Sequence, residues 1–413
     1  MDRVDMIIAD SEKEIQSAFQ KIDEVACHNQ RRVLEAFRTH RVSSDHFTVG
    51  TGYGYNDLGR DTLESMYAEI FGGEDALVRS QLISGTHALS TSLFSLLESG
   101  DLLVSAMGEP YDTLQRIISG KNGLEARGVR YQAIPVKEDG GCDMGLLAEV
   151  VAGNPRVILL QRSRGYSSIR KTLTIQDIDA VIQLIKSVNP EVIILVDNCY
   201  GEFVEKLEPG HVGADLVAGS LIKNPGGGLA AGGGYIIGKR ELVELAADRL
   251  IAPGLGKEIG PSLYDMRIVY QGLFLAPHVV SEALKGAVLS ARALERLGLK
   301  VAPGWDEDRG DIVQAIELPD QSVLTGFVRK VQEWSPVDSF VIPEFAAMPG
   351  YDHQVIMAAG TFVQGSSIEL SCDAPLRQPY WAFFQGGLSY QHIRLVVAQL
   401  IHYLLSCLLV ENR

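Results

Sequence analysis

The sequence predicts an α/β protein built on a large, mainly parallel sheet, with a smaller α+β region towards its C-terminus. Two observations carry this reading. Between Ala76 and Gly238, β-rich apolar runs alternate with helix-patterned segments, the rhythm of a parallel sheet with crossover helices. The runs are also apolar throughout instead of alternating with polar residues, as expected of strands covered by helices on both faces.

Residues 1–45, including SEKEIQSAFQKIDEVACHNQRRVLEAF, have a helical pattern and form an N-terminal segment. LISGTHALS, Leu82 to Ser90, reads as a strand-to-helix junction in which Gly85 and Thr86 stand at the helix start. The strand candidates follow in order as DLLVSAM, YQAIPV, RVILLQ, VIILVDN, DLVAGS and GGYIIG. After Pro261 a long helical pattern, broken by Pro277, runs to about Gly298 and ties the central region to the C-terminal one. Beyond it, shorter strands separated by Pro and Gly indicate an α+β domain. LVVAQLIHYLLSCLLV, Leu395 to Val410, falls short of the roughly 20 residues of a membrane span and carries Gln399 and His402. It reads as a packed C-terminal helix. The expected division is 1–45, 46–275 and 276–413.

The 413 residues carry 37 Lys and Arg against 52 Asp and Glu, a net charge of -15. Phosphate backbones and anionic bilayers are repelled by such a chain, so nucleic acid and membrane partners are not expected. The five cysteines, Cys27, Cys142, Cys199, Cys372 and Cys407, are scattered and lack CxxC spacing, which argues against a disulfide framework or a zinc site. The N-terminus, MDRVDMIIADSEKEI, is too acidic and too briefly apolar for a signal peptide. A reducing cytoplasm is the expected compartment.

Chemistry concentrates around Lys223, set in GSLIKNPGGGLAAGGGYIIG. An isolated lysine in such a place is ordinarily a surface turn residue; its company changes the reading. A deprotonated lysine forms an imine with an aldehyde, and desolvation or nearby positive charge is what lowers its pKa enough. Lys223 follows the strand DLVAGS, with Ser220 three residues before it. Asp197 ends VIILVDN at the tip of another strand, where a carboxylate either caps a turn or holds a protonated ring nitrogen. Gly85 and Thr86 offer free amides to a phosphate, although Ser, Gly and Thr also serve as ordinary N-caps. Tyr111, after DLLVSAM, is either a core tyrosine or a face on which a flat ring stacks. The glycines are expected to bring backbone close to such a ring and to supply unusual φ angles. Of the histidines, only His87, beside the phosphate loop, stands near this chemistry.

These pieces resemble pyridoxal-phosphate enzymes of the aspartate-aminotransferase fold (fold type I). They are most similar to the cystathionine β-lyase and methionine γ-lyase-like proteins often labelled aluminium-resistance proteins. TGYGYNDLGRDTLE, SGTHAL, GEPYDTL, QRSRGYSSIRKTLT, VDNCYGEF, GSLIKNPGGG, YQGLFLAPHVV and SSIELSCDAPLRQPY carry the resemblance, which runs over nearly the full length. It implies pyridoxal 5'-phosphate as cofactor, Lys223 as the lysine that bonds it, Asp197 as the partner of its ring nitrogen, and Tyr111 as the stacking aromatic. Gly85, Thr86 and Ser220 become phosphate ligands. Tyr55 and Arg60 are expected to reach the phosphate of a neighbouring subunit, making a homodimer or homotetramer with shared active sites. Arg377 resembles the arginine that grips a substrate α-carboxylate, with an ion pair on the surface as its plainer reading. The implied reaction is α-proton abstraction and carbon–sulfur elimination from a small sulfur-containing amino acid. An aldolase or aminotransferase is the alternative within the same chemistry, and a non-catalytic acidic metal-binding resistance protein the alternative outside it. No compact carboxylate cluster for a hard cation is evident in the sequence. NPGGGLAAGGG and QRSRGY depart from the cystathionine lyases, which bears on substrate choice.

Overall fold

The computed structural model describes residues 2–410. Two helices open the chain, α1 (Arg3–Glu14) and α2 (Gln16–Thr39), followed by α3 (Leu58–Phe71). The large sheet and its helices then run β1 (Asp75–Arg79), α4 (Gly85–Leu96), β2 (Leu102–Ser105), α5 (Asp112–Ser119), β3 (Arg130–Ala133), α6 (Met144–Ala152), β4 (Val157–Gln161), α7 (Ile175–Val188), β5 (Ile193–Asp197), β6 (Leu216–Ser220), β7 (Gly234–Gly238) and α8 (Arg240–Leu250). A long helix, α9 (Met266–Glu295), leads to β8 (Val301–Ala302), β9 (Val313–Glu317), α10 (Gln321–Glu333), β10 (Val355–Ala358), β11 (Ser371–Pro375), β12 (Trp381–Gln385) and α11 (Tyr390–Val410).

The first sheet has seven strands in the order β1-β7-β6-β5-β4-β2-β3. Its β2, β3, β4, β5 and β6 pair in parallel, as the alternating pattern predicts. β7 is the departure, running antiparallel to both β6 and β1. Residues 221–233 between β6 and β7 hold only a short turn at Asn224–Gly226, too little chain for a parallel crossover.

Because successive strand side chains point to opposite faces, the sheet feeds two separate cores. Val104, Ile158, Leu160, Ile194, Val196, Val217 and Ile237 pack with α2, α3, α6, α7 and α9. Leu103, Leu159, Leu195, Leu216 and Ile236 pack with α4, α5 and α8 on the other face. The unbroken apolar runs follow from this two-sided burial, which is complete along β4, β5 and β6. Only the edge strand β3 alternates between exposed and half-buried positions.

The second sheet is smaller and antiparallel, in the order β10-β11-β12-β9-β8. Together with α10 and α11 it forms a core containing Ile316, Phe327, Ile356, Phe384, Val397 and Leu400. The helix α9 joins the two halves: Leu273 and Val280 lie in the first core, Val288 and Leu294 in the second. The expected boundary at residues 275/276 therefore falls inside one continuous helix, which also carries Pro277 without ending. A proline removes one helical hydrogen bond, and burial of Leu273, Ala276 and Val280 on either side of it holds the helix together. By length and composition α9 is apolar enough to cross a membrane, but 72% of its apolar stretch is buried between the two cores. It is a core helix.

Candidate active site

The site gathers at the carboxyl ends of the central strands, where open α/β sheets place their ligands. Asp197 is the last residue of β5, paired with Gln161 of β4 on one side and Ala218 of β6 on the other. Ser220 closes β6. The start of α4 lies against these tips: Ser84 caps the helix by accepting from the His87 amide at 3.1 Å. His87 in turn accepts from the Ile83 amide at 3.3 Å, so its ring is part of the local turn. At Gly85 an added Cβ would stand 3.0 Å from the Ser220 Cβ and 3.2 Å from the Cys199 Sγ, so glycine is what lets the helix approach the strand ends. The first amides of a helix have no intrahelical acceptor. Those of Gly85 and Thr86 donate to no protein group among the described residues, and the Ser220 hydroxyl is likewise without a partner. Three donors beside a helix N-terminus are the cradle a phosphate requires.

Lys223 caps the short turn Asn224–Gly226. The Asn224 side chain ties this turn to the segment after β5, donating to the carbonyls of Tyr200 and Glu202, each at 2.9 Å. The Lys223 Nζ consequently stands over the Tyr200 ring, 3.9 Å from its centroid. Several glycines of the run press against protein, whereas Gly232 has open space around it. A Cβ on Gly227, at φ +55°, would lie 2.4 Å from the Gly272 carbonyl oxygen of α9, and one on Gly226 would lie 1.8 Å from the Leu221 oxygen. Positive φ is present at Gly227, as expected, and its close approach is to α9.

The electrostatics centre on one buried carboxylate and one amine. Burial pushes the Asp197 carboxyl up, and Lys223 with the Cys199 amide, which donates to Oδ1 at 3.1 Å, works in the opposite direction. Burial acts against the charge on Lys223, but Cys199, Tyr200, Asp197 and Tyr111 outweigh it and hold the ammonium above the ordinary lysine range. Cys199, Tyr200 and Tyr111 are themselves pushed up by burial and stay neutral near pH 7. Asp197 is therefore the anion that matters. Desolvation acts downward on Lys223 as expected, but in the free chain its neighbours outweigh it.

Tyr111 belongs to the same cluster. Its amide donates to Gln161 Oε1 at 3.0 Å, its hydroxyl lies 3.5 Å from Thr86 Oγ1, and its phenol is pushed up first by burial and then by Asp197. Arg377, just beyond β11, donates to the Tyr166 carbonyl at the rim of the site. Tyr55 and Arg60 stand apart, with no hydrogen bond to the Lys223 cluster. Tyr55 is 60% exposed, its ring 5.9 Å from that of Tyr53. Arg60 is only 2% exposed and spends its guanidinium on Asp61 and on the carbonyls of Gly54 and Gly260, at 2.8 and 2.9 Å. In this chain it ties Gly54, before α3, to residue 260.

Several site residues escape sequence reasoning. Tyr200, under the lysine, adopts φ +74°, a left-handed conformation uncommon for a bulky side chain and typical of functional sites. Asp373 of β11 accepts from the Tyr166 hydroxyl at 2.9 Å and from Gln385 at 3.1 Å. Burial raises its carboxyl to about 6, with Lys223 among the groups opposing that rise. Behind the lysine, Glu202 accepts from Tyr235 at 2.6 Å and is pushed by burial to about 8. VDNCYGEF and SSIELSCDAPLRQPY contain three of these residues, but nothing local in either string shows that the two segments meet.

A helix N-terminus with free amides, a strand-end carboxylate and a lysine in the turn after the next strand define the site of a fold-type-I pyridoxal-phosphate enzyme, and the residues present fit that cofactor. The family model described as methionine gamma-lyase matches residues 4–405, and the chain belongs to that family. It is 49% identical to the uncharacterized protein YnbB of Bacillus subtilis over 400 residues, covering 96% of this chain and 95% of the relative. A Listeria innocua structure, provisionally named a cystathionine beta-lyase involved in aluminum resistance, superposes with a TM-score of 0.94 at 47% identity, covering 97% and 99% of the two chains. The pyridoxal-5'-phosphate-dependent protein YhfS of Escherichia coli, at 17% identity and a TM-score of 0.62 over 92% of this chain and 97% of its own, shares the fold.

Proposed function

We propose that the chain is a pyridoxal-phosphate-dependent carbon–sulfur lyase acting on a small sulfur-containing amino acid. The observation that carries this reading is the convergence of Lys223 Nζ, the buried Asp197 carboxylate and the unpaired Gly85 and Thr86 amides at the ends of β5, β6 and α4. The bound cofactor supplies an electron-withdrawing ring. Gly85, Thr86 and Ser220 would hold its phosphate, Tyr111 would stack on its ring, and Asp197 would face its ring nitrogen. With its charge matched by that ring, Asp197 would no longer favour the protonated form of Lys223, which would free the amine to act.

Lys223 Nζ then removes and returns the proton at the substrate Cα, and Tyr200 beneath it fixes the direction of approach. Arg377 orients the α-carboxylate. Cleavage of the carbon–sulfur bond consumes one water and yields a thiol, ammonia and a 2-oxo acid. Exposed Tyr55, on the loop before α3, would enter a neighbouring subunit's site, giving a homo-oligomer with shared active sites.

Purified protein should be yellow, and borohydride should fix the cofactor to Lys223; a bare lysine after treatment with excess vitamer refutes the reading. Product analysis with cystathionine, methionine, cysteine and threonine then separates β- and γ-elimination from aldol cleavage and transamination.

A further inference from the structure

Asp373 is an acid that the chemistry above does not use. It is half-buried, and it makes no ion pair among the described residues. Both of its bonds, from the Tyr166 hydroxyl and the Gln385 amide, are from neutral donors and fall on Oδ2. The nearby Arg377 spends its guanidinium on a carbonyl instead. Lys223 acts on it only from beyond ion-pair distance, and a partly desolvated carboxylate bonded to neutral donors is costly, so the site has a standing preference for a cation beside it. The side chains around it suit one: Tyr166 lies 5.8 Å from Tyr351 and 5.1 Å from Phe383, ring to ring, and Tyr200 lies within the field of Asp373. The Lys223 ammonium, 3.9 Å from the Tyr200 centroid, shows that this aromatic wall accepts an alkylammonium. Tyr166 also spans two opposite charges, donating from its hydroxyl to Asp373 and accepting at its carbonyl from Arg377.

We infer that Asp373 determines specificity by selecting amino acids whose departing sulfur group carries a distal ammonium, with the α-carboxylate at Arg377 and the ammonium at Asp373. The inference rests on the lyase reading and names its substrate class. Cleavage of such a substrate consumes one water and releases an aminoalkyl thiol, ammonia and a 2-oxo acid, with no oxidant or reductant.

The test uses the cofactor-loaded enzyme and an isosteric pair, S-(2-aminoethyl)-L-cysteine and S-propyl-L-cysteine, with dissociation constants from spectral titration and kcat/KM from product release. The wild type should favour the cationic substrate by about tenfold or more. Asp373→Asn should bring that ratio to about one, whereas Tyr166→Phe, which keeps the charge, should preserve it. Should Asp373→Asn fail to fold, the wild-type ratio itself must fall as pH drops through about 6. The groups facing Asp373 from the packed elements are Tyr166, Gln385, Tyr200, Tyr351 and Lys223. A loaded enzyme with no preference, or an Asp373→Asn enzyme that keeps it, overturns the inference alone. A protein that never shows the cofactor band overturns the lyase reading and this inference with it.

Discussion

Gly85→Ala isolates the phosphate cradle with a single methyl group. The added Cβ would lie 3.0 Å from the Ser220 Cβ, 3.2 Å from the Cys199 Sγ and 3.3 Å from the Ser220 nitrogen. None of these is the far end of a flexible side chain. Ser220 closes a fully buried strand and Cys199 is 6% exposed, so α4 must retreat from the sheet by a few tenths of an ångström. Overpacking of this kind costs about 1–3 kcal/mol. If the strain falls on the loaded state, in which the amides must meet a phosphate, cofactor affinity weakens by roughly 5- to 150-fold. The assay pairs titration of the free protein with pyridoxal 5'-phosphate, followed at the band of the lysine-bound cofactor, with a thermal melt of each form. The loaded protein should lose more stability than the free one. Unchanged affinity together with an unchanged melting temperature would refute the argument that the helix start and the strand tips are in contact for this purpose.

Asp197→Asn should lower kcat/KM by about two to four decades while borohydride still fixes the cofactor to Lys223, because the lysine is left in place. Asn224→Ala leaves the Tyr200 and Glu202 carbonyls without their donor and should cost about 1–3 kcal/mol for each carbonyl that finds no new partner, read by denaturant unfolding. Arg60→Ala removes the bonds to Gly54, Gly260 and Asp61 and should make the 50–57 loop the first site of limited proteolysis; cleavage unchanged from wild type would contradict the clamp. Glu202 titrates at about 8 in the folded chain against about 4.5 unfolded, so between those values the native state holds the extra proton and stability falls as pH rises. Glu202→Gln removes that dependence, and its melting temperature relative to wild type should improve from pH 5 to pH 8.

The parts of this protein that were legible in the sequence are those whose signal is local. RVILLQ, VIILVDN and DLVAGS are apolar from end to end because β4, β5 and β6 are covered on both faces. A strand recognised in this way also locates its tip, so Asp197 and Ser220 could be placed without coordinates. Gly85 and Thr86 follow from the same logic, since a helix start beyond a strand leaves amides free. The reversed direction of β7 was missed because pattern reports burial and not direction; the clue was the short stretch of chain between 220 and 234. The intrachain bonds of Arg60 were missed for a different reason. Its partners in the clamp include two backbone carbonyls, and every residue type offers one, so a bond of this kind leaves no trace in composition.

Asp373 and Tyr166 mark the deeper limit. Asp197 and Ser220 end neighbouring strands of one sheet, whose spacing any parallel sheet enforces, and Lys223 follows three residues after Ser220. Asp373 comes from the other sheet, whose position depends on α9 passing unbroken from the first core into the second. Pro277 reads in the sequence as an interruption of that helix, yet burial on both sides overrides it. On the proposed reading, cofactor chemistry is thus carried by elements whose register is repetitive and readable, whereas substrate choice is carried by the contact between two sheets that only tertiary packing fixes. A replacement in the 371–385 hairpin should therefore change which amino acid is cleaved while leaving the absorbance of the loaded enzyme in place. One at Asp197 or Gly85 should alter the absorbance as well.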